Sequence, residues 1–136
     1  MSMLKKQIDY WEKSAERNWQ TAQSLLKLKH YDFCLFVCHL TLEKLLKGLV
    51  IKQTNKAVPY THDLERLTEL AKLKLTKEQI INLKTISEFN ISDRYDDIKF
   101  AFYKKCTKKY TEKYFNISKE LYLCLKNNTK KSKKRN

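Results

Sequence analysis

The whole 136-residue chain contains one glycine, Gly48, and one proline, Pro59. That shortage limits the fold more than any motif does. A sheet protein of this size turns its chain many times, and turns draw on Gly and Pro for their special backbone angles. A chain that nearly lacks both is built from few, long elements. Lys and Leu are abundant and, like Glu, Gln and Ala, are good helix formers, so those elements are helices. The length suits one domain with a single core.

Apolar periodicity places the helices. Leu4, Ile8, Trp11, Ala15, Trp19, Ala22 and Leu26 recur at spacings of three and four, which predicts one amphipathic helix over 3–28. The Lys29-His30 link is short, so a second helix over 31–54 folds back antiparallel. Residues 55–61 form a loop ending at Thr61, read as the N-cap of a shorter helix over 62–73, with Asp63 suiting its dipole. Thr76-Lys77-Glu78-Gln79 has the pattern of a capping box and opens a helix to residue 88. Residues 89–98 read as irregular. A final helix over 99–126 carries Tyr103, Cys106, Tyr110, Tyr114, Ile117, Leu121 and Cys124 on its core face. The predicted fold is all-α: an up-and-down bundle of four main helices plus a short one.

Within the second helix an ionisable row borders an apolar one. His39, Glu43 and Lys47 lie at i, i+4 and i+8, beside Leu35, Cys38, Leu42, Leu45 and Leu49. A core helix with such a row must either find partners for it or line a cleft with it. Glu43 and Lys47 can pair along the helix. A carboxylate beside an apolar stripe is costly unless paired, and Arg94 from the irregular segment is the expected partner. The purely architectural reading is a Glu43–Arg94 ion pair. The functional reading has Lys47, His62 and Arg94 facing one groove and binding phosphate.

Charge and cysteine bound the remaining possibilities. The formal net charge is +14. Lys126, Lys130, Lys131, Lys133, Lys134 and Arg135 account for six of it, leaving +8 for the body. With almost no apolar residue, 127–136 reads as a disordered basic tail suited to holding a polyanion. Cys34 and Cys38 lie four apart, and such a pair without convergent His or Cys neighbours is a weak metal signal, so no metal site is expected. All four cysteines, including Cys106 and Cys124, read as reduced and buried. No apolar run is long enough to span a membrane, and no secretion signal opens the chain, so a cytoplasmic location is expected.

Three landmarks then fall in register. Glu43-Lys44-Leu45-Leu46-Lys47, Thr61-His62-Asp63-Leu64 and Asp93-Arg94-Tyr95, with Tyr10-Trp11 in the first helix and Phe102-Tyr103-Lys104-Lys105-Cys106-Thr107 after the third, resemble the HEPN (higher eukaryotes and prokaryotes nucleotide-binding) domain over residues 4–126. The resemblance implies an α-helical bundle that forms homodimers. It also implies a small protein often paired with a minimal nucleotidyltransferase, in toxin–antitoxin or related modules. Some members are ribonucleases, and others bind nucleotides or act as non-catalytic partners. No cofactor is implied.

The ribonuclease members carry an Arg followed, after four to six intervening residues, by His. After Arg94 this chain has Lys99, Phe100 and Ala101 at those places, and its histidines are His30, His39 and His62. Metal-independent RNA cleavage needs a proton acceptor and a donor, for which His is well suited; Arg94 alone steadies phosphate charge. The Pro that usually follows Arg-Tyr is Asp96 here. Two functions stay open. One is a non-catalytic homodimer that binds nucleotide or RNA phosphate and partners a nucleotidyltransferase. The other is an RNA-cleaving toxin using Arg94 with His39 or His62 from another helix or subunit. The missing local His favours the first. Tyr10, Leu25, Leu28, Phe33, Phe36, Tyr122 and Leu123 lie off the main stripes and point to the dimer interface.

Overall fold

The computed structural model describes residues 2–134, with side chains described as far as Thr129. It is all-helical over those residues. Six helices follow in order: α1 (Met3–Lys27), α2 (Tyr31–Thr54), α3 (Leu64–Leu70), α4 (Lys77–Ser87), α5 (Asp96–Lys105) and α6 (Lys108–Lys134).

Local signals set most of the boundaries. Ser2 caps α1 by accepting from the Lys5 amide at 3.1 Å. Lys29 and Asn55, both at positive φ, turn the chain out of α1 and α2. Thr76 and Gln79 form the reciprocal capping box of α4. The expected start of α3 was two residues early. Asp63 is its cap, accepting from the Glu65 and Arg66 amides, while Thr61 accepts from the Asp63 amide instead. His62 is therefore held outside the helix and turns toward α2.

The last expected helix is two. Cys106 leaves helical geometry (ψ 66°), and Thr107 starts a new helix by accepting from the Tyr110 amide at 3.2 Å. α5 also starts at Asp96, three residues inside the predicted irregular stretch, and the break after it changes what faces inward. Tyr110 and Tyr114 pack around Phe89, but Tyr103 is 60% exposed rather than core. The boundary expected at 126 falls inside α6. The Thr129 carbonyl accepts from Lys52 Nζ at 3.3 Å. Arg135, Asn136 and the side chains of 130–134 lie outside the described residues, so the expected tail is mostly beyond description.

α2 is the central element. Fourteen of its 24 residues are buried, so it is covered on nearly every side, by α1, α3 and α6 above all. Small residues let α1 approach closely: Ala15 and Ala22 are fully buried, and Gly48 of α2 sits against Trp11. Trp19 joins α1 to α6 by stacking on Phe115 and Tyr122, each with ring centroids 5.0 Å apart. Fully burying a side chain such as Leu42 or Leu46 contributes about 1.5–3 kcal/mol. The four cysteines are free, and Cys124 is only half-buried. Burial pushes the Cys106 thiol up to about 12, making it a poor nucleophile at neutral pH.

Candidate functional site

The row on α2 is buried as a unit: His39 is 0%, Glu43 4% and Lys47 7% exposed. Glu43 is its centre. Lys47 Nζ donates to Oε2 at 2.9 Å, and His62 Nδ1 donates to Oε1 at 2.9 Å. His39 Nε2 lies 3.2 Å from the His62 carbonyl oxygen and 3.5 Å from Glu43 Oε1. Both groups are acceptors, so the His39 hydrogen sits on Nε2 and leaves Nδ1 bare. That nitrogen is buried with no partner among the described residues. Burial holds His39 below the usual imidazole range, against the opposing pull of Glu43 and the His62 carbonyl. A neutral His39 fits that environment.

The other charges of α2 tie helices together. Lys47 Nζ lies 5.1 Å from the Trp11 ring centroid on α1. Lys44 donates to Ser14 Oγ at 2.7 Å, and burial lowers its pKa. Lys52 pairs with Glu12 at 2.8 Å.

A second locus lies along α5. Phe89, Ile91 and Phe102 are buried at the base of a cavity of about 290 Å³, with Arg94, Lys105 and Glu88 around it. On the outer side of α5, Phe100 and Tyr103 stack with centroids 6.0 Å apart, and Lys104 Nζ sits 4.6 Å from the Phe100 ring. Tyr95, at the start of α5, is 83% exposed. Cations around an apolar floor next to exposed aromatic rings can take a phosphate and a base together.

The structure thus brings Lys47 and His62 together and places Arg94 elsewhere, in a cavity that neither of the other two lines. The expected Glu43–Arg94 ion pair does not form among the described residues. Glu43 is satisfied by Lys47 and His62, and Arg94 is exposed. The reason is geometric: the 55–63 loop folds back over α2 and delivers His62 to the carboxylate. Two functional candidates were missed. Tyr60 approaches His62, and its spacing of two residues from His62 was a signal available in the sequence. Lys105 joins Arg94 in lining the cavity because α5 runs from Asp96 and stops at Lys105, bounds the sequence did not reveal. Among the described residues no group of three or more His, Cys, Asp or Glu is arranged to hold a metal.

The HEPN domain model matches residues 8–128, most of the chain. The chain belongs to the HEPN domain family. Two solved structures share the fold. One is TT1696 from Thermus thermophilus, with a TM-score of 0.71 and 22% identity, covering 88% of this chain and 96% of that one. The other is ST0689, described as an archaeal HEPN homologue, with a TM-score of 0.67 and 18% identity, covering 89% of this chain and 96% of that one. None of the curated proteins matches the chain. The helical bundle expected from the sequence is therefore a HEPN fold. No helix among its described residues is long and apolar enough to cross a membrane.

Proposed function

We propose that this HEPN protein binds a phosphate-bearing ligand, a nucleotide or single-stranded RNA, without cleaving it. In this reading it works as a homodimer alongside a nucleotidyltransferase partner. The observation that carries the reading is the α5 cavity. Arg94 and Lys105 supply fixed positive charge beside an apolar floor, and no histidine lines it to move a proton. His39 and His62 are both engaged around Glu43 instead. Exposed Leu28, Phe33 and Leu123 support a self-associating surface.

The deciding experiment titrates end-labelled single-stranded RNA with purified protein, in chelator and across a salt series. Fluorescence anisotropy reads binding, and a denaturing gel of the same samples reads cleavage. Intact RNA is expected throughout, with affinity falling steeply with salt. Arg94→Ala should weaken binding and flatten the log–log salt slope by about 0.7, the value for one single-strand phosphate contact. Cleavage that survives chelation and vanishes in Arg94→Ala or His62→Ala would overturn the reading in favour of an RNA-cleaving toxin.

A further inference from the structure

We infer that His62 is a phosphoryl-accepting residue, with its Nε2 as the nucleophile. This goes beyond the α5 cavity and does not depend on it.

Geometry distinguishes the two ring nitrogens. Nδ1 donates to Glu43 Oε1 at 2.9 Å, so in the neutral ring Nε2 carries the free lone pair. Glu43 is buried, and Lys47 Nζ pairs with its other oxygen at 2.9 Å. The ring cannot easily swing away from that carboxylate. The His62 carbonyl is bound by buried His39, and the next residue, Asp63, is fixed as the α3 cap. Nε2 nevertheless remains within reach of a reagent. The His62 side chain is 36% exposed, and the contact found for Nε2 is the Tyr60 hydroxyl at 3.3 Å, long for a bond from a hydroxyl. Tyr60 is 88% exposed and meets the His62 ring edge-on, so it can move aside. A buried carboxylate behind an imidazole whose outer nitrogen is accessible activates that nitrogen, by orienting it and by stabilising positive charge on the ring.

The step is a phosphoryl transfer from a small donor with an amine leaving group. The Nε2 lone pair attacks phosphorus and forms a P–N bond. The donor's own P–N bond breaks, and its ammonium nitrogen departs as ammonia with its three hydrogens. No proton leaves His62. Nδ1–H stays bonded to Glu43, and the positive charge once on the donor nitrogen now rests on the ring beside that carboxylate. The product is therefore stabilised by the same contact that orients the reactant.

His30 provides an internal control. It is exposed at the start of α2 and makes no side-chain cap bond. The intact protein is incubated with phosphoramidate near neutral pH, and phosphohistidine is mapped by peptide mass spectrometry over time. His62 should be labelled roughly tenfold faster than His30, a barrier difference of about 1.4 kcal/mol, which one charge-assisted hydrogen bond can supply. Glu43→Gln should slow His62 to about the His30 rate and leave His30 unchanged. Labelling of His62 no faster than His30 in the unaltered protein overturns the inference, and needs no variant to fold. Unchanged His62 labelling in a Glu43→Gln protein of native circular dichroism overturns it too. Loss of RNA binding would leave these rates as they are, so the two proposals fail separately.

Discussion

Glu43→Ala tests how much the buried cluster contributes to stability. The carboxylate accepts from Lys47 and His62 at 2.9 Å each and has a 5% exposed side chain, while that of Lys47 is 9% exposed. Truncation leaves an ammonium group with no counter-charge beside the Trp11 ring and a His62 ring with nothing to hold it. Removing one member of a buried pair costs about 3–5 kcal/mol. The lower figure applies here, because His62 is partly exposed and the Lys47 stem can reorient, so we expect about 3 kcal/mol. For a chain of this size that lowers Tm by roughly 10 °C. Urea unfolding followed by tryptophan fluorescence is a suitable assay, since Trp11 and Trp19 report on α1. The midpoint should fall with the slope unchanged. Lys47→Met in the Glu43→Ala background should recover about 2 kcal/mol, because both charges are then gone. A loss within about 0.5 kcal/mol for Glu43→Ala, the range of surface substitutions, would refute the account of the cluster.

Two further predictions concern α2. Gly48→Ala should stabilise the protein by about 0.5–1 kcal/mol, because Ala is the better helix former and its Cβ would meet Trp11 Cβ at an ordinary 3.6 Å; a lower midpoint in thermal melts would count against it. Burial depresses the His39 pKa below the ordinary 6.5, so between the two values the unfolded chain binds a proton that the native one refuses. Stability is then fully present above about pH 6.5 and lost as pH falls through the folded value; His39→Gln, which keeps a donor, should flatten that acid limb in urea titrations, and an unchanged limb would assign it to other groups.

Much of the fold was legible because its signals are local. The 31–54 helix has its predicted bounds because apolar residues run through it between a Lys29-His30 link and Asn55, and Thr76 and Gln79 announce α4 three residues apart. The ionisable row 39–43–47 was readable from helical spacing alone. The break at Cys106 was not. Apolar residues keep a spacing of three and four straight across it, and Thr107 caps α6 without any Gly or Pro to mark the stop. Of the two partners of Glu43, Lys47 was readable from helical spacing and His62 was not. His62 lies 19 residues away on a loop whose return path depends on Asp63 rather than Thr61 capping α3, a choice between two good caps two residues apart. The place of Arg94 was hidden because α5 begins at Asp96, inside the stretch read as irregular.

The burial of α2 on nearly every side has a consequence for how the protein is made. α1 and α2 are neighbours in sequence, and their packing needs only a short turn, so this hairpin can close as soon as it leaves the ribosome. The side of α2 that α6 covers has no such neighbour. That side waits for α6, the last of the six described helices in chain order. Until then a growing chain carries a wide apolar flank in the open, the kind of surface on which nascent proteins aggregate or recruit chaperones. Release of such a chain from chaperones should therefore track synthesis of the segment around Leu121, Tyr122 and Leu125, the residues of α6 that close the core.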